Sequence, residues 1–314
     1  MKIISKSQIK QLNISPATCV DWVRESFSIK KDAQLPAKVS VHPNGVDFYT
    51  AMPCLLPEKY DRYCLKLVSR LKEATPALCS NIQVYEARTG NLLALMDCDW
   101  ITAMRTGAVA TLAAQTFRRS GDVTYCFVGL GNVAMATMLC LLEAEPDIMH
   151  NVLLYKFMNE AELFMERFSG YRNVWFTTYD SIPEMFSHSD VIYSCITQAD
   201  KLLCEDESCF RPGVTLIPIH TRGFQNCDLF FDKIFGDDTA HVQGFKYFSQ
   251  YKYFAEMQDV IEGKAEGRAN DQERIISYNV GLGLHDALFA TKIYGMISSA
   301  QEVEIEKENK RLWV

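Results

Sequence analysis

The stretch Val123-Thr124-Tyr125-Cys126-Phe127-Val128-Gly129-Leu130-Gly131-Asn132-Val133-Ala134 decides the fold. Its first half is a short, wholly apolar run rich in β-branched and aromatic residues, the signature of a buried strand. GxGxxA follows at once, and a helical run from Met135 to Glu143 continues it. Strand, glycine-rich turn and helix in that order form a dinucleotide-binding unit. Gly129 makes the tight turn, Gly131 lets the backbone approach a pyrophosphate, and Ala134 lets the helix pack close to the sheet. Asn132 and Val133 place their backbone N–H groups in the first helical turn, facing the phosphates.

Alternation continues downstream. Strands are expected at Asn151–Tyr155, Val174–Thr177, Asp190–Thr197, Val214–Ile219 and Lys233–Gly236, with helices at Glu160–Phe168 and Ser181–Ser187 between them. Strands alternating with helices imply right-handed βαβ units and a doubly wound parallel sheet. Residues 119–284 therefore read as a Rossmann-type domain. Upstream, Ile82–Met96 carries two strand-like runs around Thr89-Gly90-Asn91, a hairpin signal. Asp99 is placed to cap a helix reaching Phe117, whose alanines permit close packing. A last helix is expected over Asp286–Ser298, followed by a charge-dense, solvated tail that ends in the apolar pair Leu312-Trp313. The fold class is thus α/β: a Rossmann domain inserted into a discontinuous α+β substrate and dimerisation domain made of residues 1–118 and 285–314.

Composition narrows the function classes. The chain has 314 residues, 48% of them apolar and 23% charged, with a net charge of −7. That is the balance of a folded globular protein, not of a disordered one. No stretch approaches the ~20 apolar residues of a membrane span. A net-acidic chain is a poor electrostatic partner for nucleic acid. The 11 cysteines are odd in number, contain no CxxC pair and have no histidine at metal-finger spacing. Several lie in apolar runs, where a thiol acts as a small hydrophobe. The expectation is reduced thiols, no metal and a cytoplasmic setting; the basic Met1–Lys6 is not followed by the apolar region of an export signal.

The run Thr89-Gly90…Leu95-Met96-Asp97…Ile101-Thr102-Ala103-Met104-Arg105-Thr106-Gly107-Ala108, followed by the strand and GxGxxA, resembles the ornithine cyclodeaminase/mu-crystallin family. Met52-Pro53, Lys66 within Leu65-Lys66-Leu67-Val68, the strand ending at Thr197 and the late Gly281-Leu282-Gly283-Leu284-His285-Asp286 fit as well. The resemblance spans nearly the whole chain and implies a homodimer with its active site in a cleft. It also implies a nicotinamide cofactor held by Thr106, Gly129, Gly131, Asn132, Val133 and Thr197. The family's basic residues fall on Lys38, Lys66 and Arg105, with Met52 beside them at the substrate. Its members include cyclodeaminases, ketimine reductases and amino-acid dehydrogenases, so shared fold leaves the substrate open.

Residue chemistry agrees with that implication. A small anionic amino or imino acid carries a carboxylate, which an arginine fork such as Arg105 holds well. Lys66 sits in an apolar stretch where a bare ammonium is costly, and burial suits such a lysine to proton exchange at an imine nitrogen. Alternation alone would also allow it to point outward. Two positions depart from the family. The second strand ends Leu154-Tyr155-Lys156 with no carboxylate for the ribose hydroxyls of NAD, and Lys156 can meet a 2′-phosphate, which favours NADP over NAD. The loop after the fifth strand reads Pro218-Ile219-His220-Thr221-Arg222-Gly223 where ornithine cyclodeaminases carry a catalytic aspartate. His220 there is either a general acid or a plain backbone hydrogen-bonder, and Arg222 either binds a second carboxylate or lies on the surface. The expected activity is NAD(P)-dependent oxidoreduction of a C–N bond, as a dehydrogenase or an imine reductase. A non-catalytic binding role of the mu-crystallin type is the alternative, with true cyclodeamination behind it.

Overall fold

The computed structural model describes residues 1–197, 199–219 and 222–305. The chain starts with β1 (Lys2–Ile4), α1 (Lys6–Gln11) and α2 (Pro16–Ser28), then runs through β2 (Val39–Val41), β3 (Phe48–Leu55), β4 (Arg62–Arg70), β5 (Leu78–Glu86) and β6 (Leu92–Asp97). Strands β2 to β6 pair antiparallel in sequence order, and β1 lies parallel beside β6. Strands β5 and β6 are the hairpin expected around Thr89-Gly90-Asn91, with Gly90 taking the positive φ that its turn requires.

After α3 (Asp99–Phe117) the architecture changes. The chain continues as β7 (Thr124–Val128), α4 (Asn132–Ala144), β8 (His150–Tyr155), α5 (Glu160–Arg167), β9 (Val174–Tyr179), α6 (Ile182–Ser187), β10 (Val191–Ser194), β11 (Thr215–Pro218), β12 (Lys233–Gly236), α7 (Thr239–Val242), β13 (Phe254–Glu256), α8 (Met257–Ile261) and β14 (Ile275–Tyr278). All eight strands are parallel, in the order β13-β12-β14-β11-β10-β7-β8-β9. Six of them were legible in sequence; β13 and β14 were not. The order reverses between β7 and β10, the switch point outside which dinucleotides bind. The chain then forms α9 (Gly283–Met296), which packs on β3, β4 and β5, and β15 (Gln301–Glu302), which pairs with β1. Those two residues, expected in a solvated tail, are exposed and also extend the first sheet; Leu312 and Trp313 lie outside the described residues.

Two compact units result: residues 1–14, 29–102 and from 283 onward, and residues 15–28 with 103–282. The expected boundary at 118/119 differs from this division, since most of α3, and also α2, belongs with the parallel sheet. The reason is close helix packing. A Cβ on Gly107 would stand 2.4 Å from the backbone carbon of Ala136 in α4, so only glycine lets the two helices meet there. Thr111 adds a hydrogen bond to the Thr137 carbonyl at 3.3 Å, and α2 packs on α4. Asp99 does not cap α3 as expected: its carboxylate accepts the Ser80 backbone N–H at 2.7 Å, tying the helix start to β5.

The thiol expectation needs one correction, since Cys204 and Cys209 form a disulfide within the loop after β10. The other nine cysteines are free. Burial pushes the thiols of Cys64 and Cys126 up to about 12, which keeps them protonated and unreactive, as expected of small core hydrophobes. No helix among the described residues is long and apolar enough to cross a membrane.

Candidate active site

In the first unit the site is built on β3 and β4. Met52 stands opposite Lys66 in their antiparallel register, and alternation turns Met52, Cys54, Cys64 and Lys66 all to the face that α9 covers. Lys66 therefore points inward: it is 1% exposed, and Met52 beside it is 5% exposed. Its Nζ lies 2.8 Å from Oδ1 of Asp286, which is itself wholly buried in the first turn of α9. The helix N-terminus adds partial positive charge that favours a carboxylate there. Removing two ions from water costs several kcal/mol each, so such a pair is retained only at expense to stability. Close approach of the helix depends on Gly283, where a Cβ would meet the Pro53 carbonyl oxygen at 3.3 Å. In the sequence Asp286 is an acid in the first turn of a helix rich in apolar residues, and its burial needs a cation. Lys38, just before β2, is half-buried.

In the second unit Arg105 projects from α3 and is 8% exposed. Its guanidinium lies against Gly281, in the segment after β14: a Cβ on that glycine would stand 2.5 Å from Nη1. Thr106 beside it is half-buried.

The glycine-rich turn follows β7 as expected. Gly129 has φ +83°, and a Cβ there would stand 2.8 Å from the Ile196 amide nitrogen, so the segment after β10 passes directly against the turn. At Gly131, by contrast, a Cβ would meet nothing within 4 Å. Gly131 is the N-cap of α4 and supplies no side-chain cap, so the first backbone N–H groups of Asn132 and Val133 receive none from it. Such a helix end is an anion site, and the residues fit a dinucleotide pyrophosphate. Ala134 is fully buried against the sheet, as its small side chain allows. Thr197 is exposed three residues beyond the end of β10, which is shorter than expected.

At the end of β8, Lys156 is exposed, with Nζ 3.3 Å from an oxygen of the more exposed Asp180 after β9. In the loop after β11, Arg222 is exposed, whereas His220 lies outside the described residues. That loop is anchored by Asp228, which accepts the Tyr278 hydroxyl at 2.6 Å, and burial pushes its carboxyl up to about 6. Among the described residues, no group of three or more His, Cys, Asp or Glu is placed to hold a metal ion.

Known proteins share this architecture. A Bacillus cereus Delta(1)-pyrroline-2-carboxylate reductase is 24% identical over 68% of this chain and 69% of its own. The Thermococcus litoralis Delta(1)-pyrroline-2-carboxylate reductase, solved with NADH and L-proline, superposes with a TM-score of 0.78 at 22% identity, covering 94% of this chain and 97% of that one. An archaeal alanine dehydrogenase dimer with bound NAD gives a TM-score of 0.82 at 20% identity over 98% and 99% of the two chains. The sequence pattern of one family runs through residues 2–301, across both units, and by that match the chain belongs to the ornithine cyclodeaminase/mu-crystallin family.

Proposed function

We propose that the protein is an NAD(P)-dependent oxidoreductase acting on the C–N bond of a small anionic amino or imino acid. The observation that carries this reading is the buried, ion-paired Lys66: an ammonium withdrawn from solvent at such cost is suited to one directional proton transfer rather than to solubility. Family membership and the reductases and dehydrogenase it resembles support the same class.

Backbone N–H groups at the start of α4 would hold the phosphates of a nicotinamide cofactor, with Gly131 leaving them room, and the bound group would supply hydride chemistry at the substrate's α-carbon. Arg105 holds the substrate carboxylate through its planar fork, helped by Lys38, and so sets the orientation on which transfer depends. Met52 supplies an apolar wall beside Lys66. Lys66 gives a proton to the nitrogen in the reductive direction or takes one in the oxidative direction, and Asp286 keeps its Nζ in place between the two. Where cyclodeaminases carry their aspartate the chain has Arg222 or His220, which argues against ring-forming deamination.

A panel of cyclic imino acids, amino acids and 2-oxo acid/amine pairs, followed by nicotinamide absorbance, tests the reading. Cofactor turnover with one of these substrates is expected. Ligand binding with no absorbance change across the panel would instead establish a binding protein of the mu-crystallin type, and ammonia release without net reduced cofactor a cyclodeaminase.

We favour NADP as the cofactor, with Lys156 on the 2′-phosphate. Its contact with Asp180 is exposed, and an exposed ion pair is worth only about 0–1 kcal/mol, so a phosphate displaces it readily. Lys156→Asp is expected to weaken NADPH binding by about tenfold or more and NADH binding hardly at all. Equal losses for both in a fluorescence titration would remove Lys156 from the phosphate.

A homodimer is supported by the face of the first sheet opposite α9. Val39, Val41, Tyr49 and Leu67 are 63%, 59%, 36% and 39% exposed there, an apolar cluster of the kind that marks protein–protein contacts. The intracellular setting rests on the nine free thiols.

A further inference from the structure

Asp237, the residue after β12, is wholly buried, and a buried carboxylate persists only where donors repay its desolvation. It is not spent on capping the adjacent α7. Asp238 does that through the Ala240 N–H at 2.9 Å, and Glu256 takes both the N–H and the hydroxyl of Thr239. Asp237 instead reaches across to the segment after β14. Its Oδ2 accepts the Gly281 N–H at 2.5 Å, its own N–H donates to the Tyr278 carbonyl at 3.1 Å, and Oδ1 meets Nδ1 of His241 at 3.2 Å.

Gly281 is the informative end of this clip. Gly45, Gly90, Gly121 and Gly263 also have positive φ, yet a Cβ on any of them would enter open space, so their turns alone explain them. At Gly281, φ is +90° and the space a Cβ would need is filled by the Arg105 guanidinium. Backbone at this point forms the floor on which the guanidinium lies, and the floor is held by Asp237.

We propose that Asp237 is a positioning residue for Arg105, acting through Gly281 to fix the fork that receives the substrate carboxylate. This rests on the reading of Arg105 as the carboxylate anchor. Loss of the clip lets Gly281 shift and the fork lose its aim, while the phosphate end of the cofactor site, built on β7 and α4, is untouched.

The test titrates the full-length protein with pyrrole-2-carboxylate and with its uncharged carboxamide, and separately with NADH. Wild type is expected to prefer the carboxylate, and Arg105→Gln to lose that preference. Asp237→Ala and Gly281→Ala are each expected to weaken carboxylate binding at least about tenfold, with NADH affinity within about twofold. Asp237→Asn, whose amide oxygen still accepts the Gly281 N–H, is expected to recover most of the loss. Carboxylate binding at wild-type strength in both Asp237→Ala and Gly281→Ala, with Arg105→Gln impaired, overturns the proposal and leaves the anchor role of Arg105 intact. No preference in wild type, or an unimpaired Arg105→Gln, overturns the anchor role and the proposal with it. Should Asp237→Ala lose NADH as well, Gly281→Ala, which keeps the carboxylate in place, decides on the same criterion.

Discussion

Lys66→Met is expected to abolish measurable turnover and to lower the unfolding free energy by about 3–5 kcal/mol, because it removes the cation that faces the buried Asp286 carboxylate at 2.8 Å. The two losses have different origins, and a second substitution separates them. Adding Asp286→Leu replaces the whole pair by apolar side chains, a change that is commonly neutral or stabilising by about 1–4 kcal/mol relative to the intact pair. The double variant should therefore regain wild-type stability in urea or thermal unfolding and still fail to turn over. Cofactor affinity should stay near wild type, since the phosphate site is formed by the other unit. Activity in the double variant would remove Lys66 from the chemistry and leave the pair a structural device.

Arg105→Met is expected to raise KM for the amino or imino acid by about a hundredfold to a thousandfold. That is the loss of two charge-assisted hydrogen bonds at a largely desolvated site. Methionine keeps an unbranched stem against Gly281, so stability should change little compared with the Lys66 variant. A control distinguishes lost contact from general damage. The carboxamide of the best substrate, already poor with wild type, should lose nothing further, because the interaction removed is the one it cannot make. Equal losses for acid and amide would mean that Arg105 does not touch the carboxylate.

Much of the candidate site was legible because its signals are local. GxGxxA needs only a strand before it and a helix after it, both visible as runs of residue type, and Gly129 and Gly131 behave in the structure as a dinucleotide turn requires. Lys66 was recognisable as an ammonium in an apolar strand, but the direction it faces was not: a one-residue change of phase reverses every side chain in a strand. Pairing with β3 and coverage by α9 settle that phase, and Asp286 then appears 220 residues away as its partner. Asp237 carries no local signal for the same reason: it stands beside Asp238, and only the fold shows that one aspartate caps α7 while the other accepts from Gly281.

Sequence by itself determined the parallel α/β unit and the β5–β6 hairpin of the other unit. Each follows from patterns no longer than one strand, one turn or one helix, where local sterics and burial decide the outcome. Tertiary structure alone decided which helices belong with which sheet, through the absent Cβ of Gly107, and that the Asp286 carboxylate pairs with the buried Lys66. Those are contacts between residues far apart in the chain. Their energy comes from desolvation and close approach, which depend on what the folded neighbour presents and leave no periodic mark on the sequence.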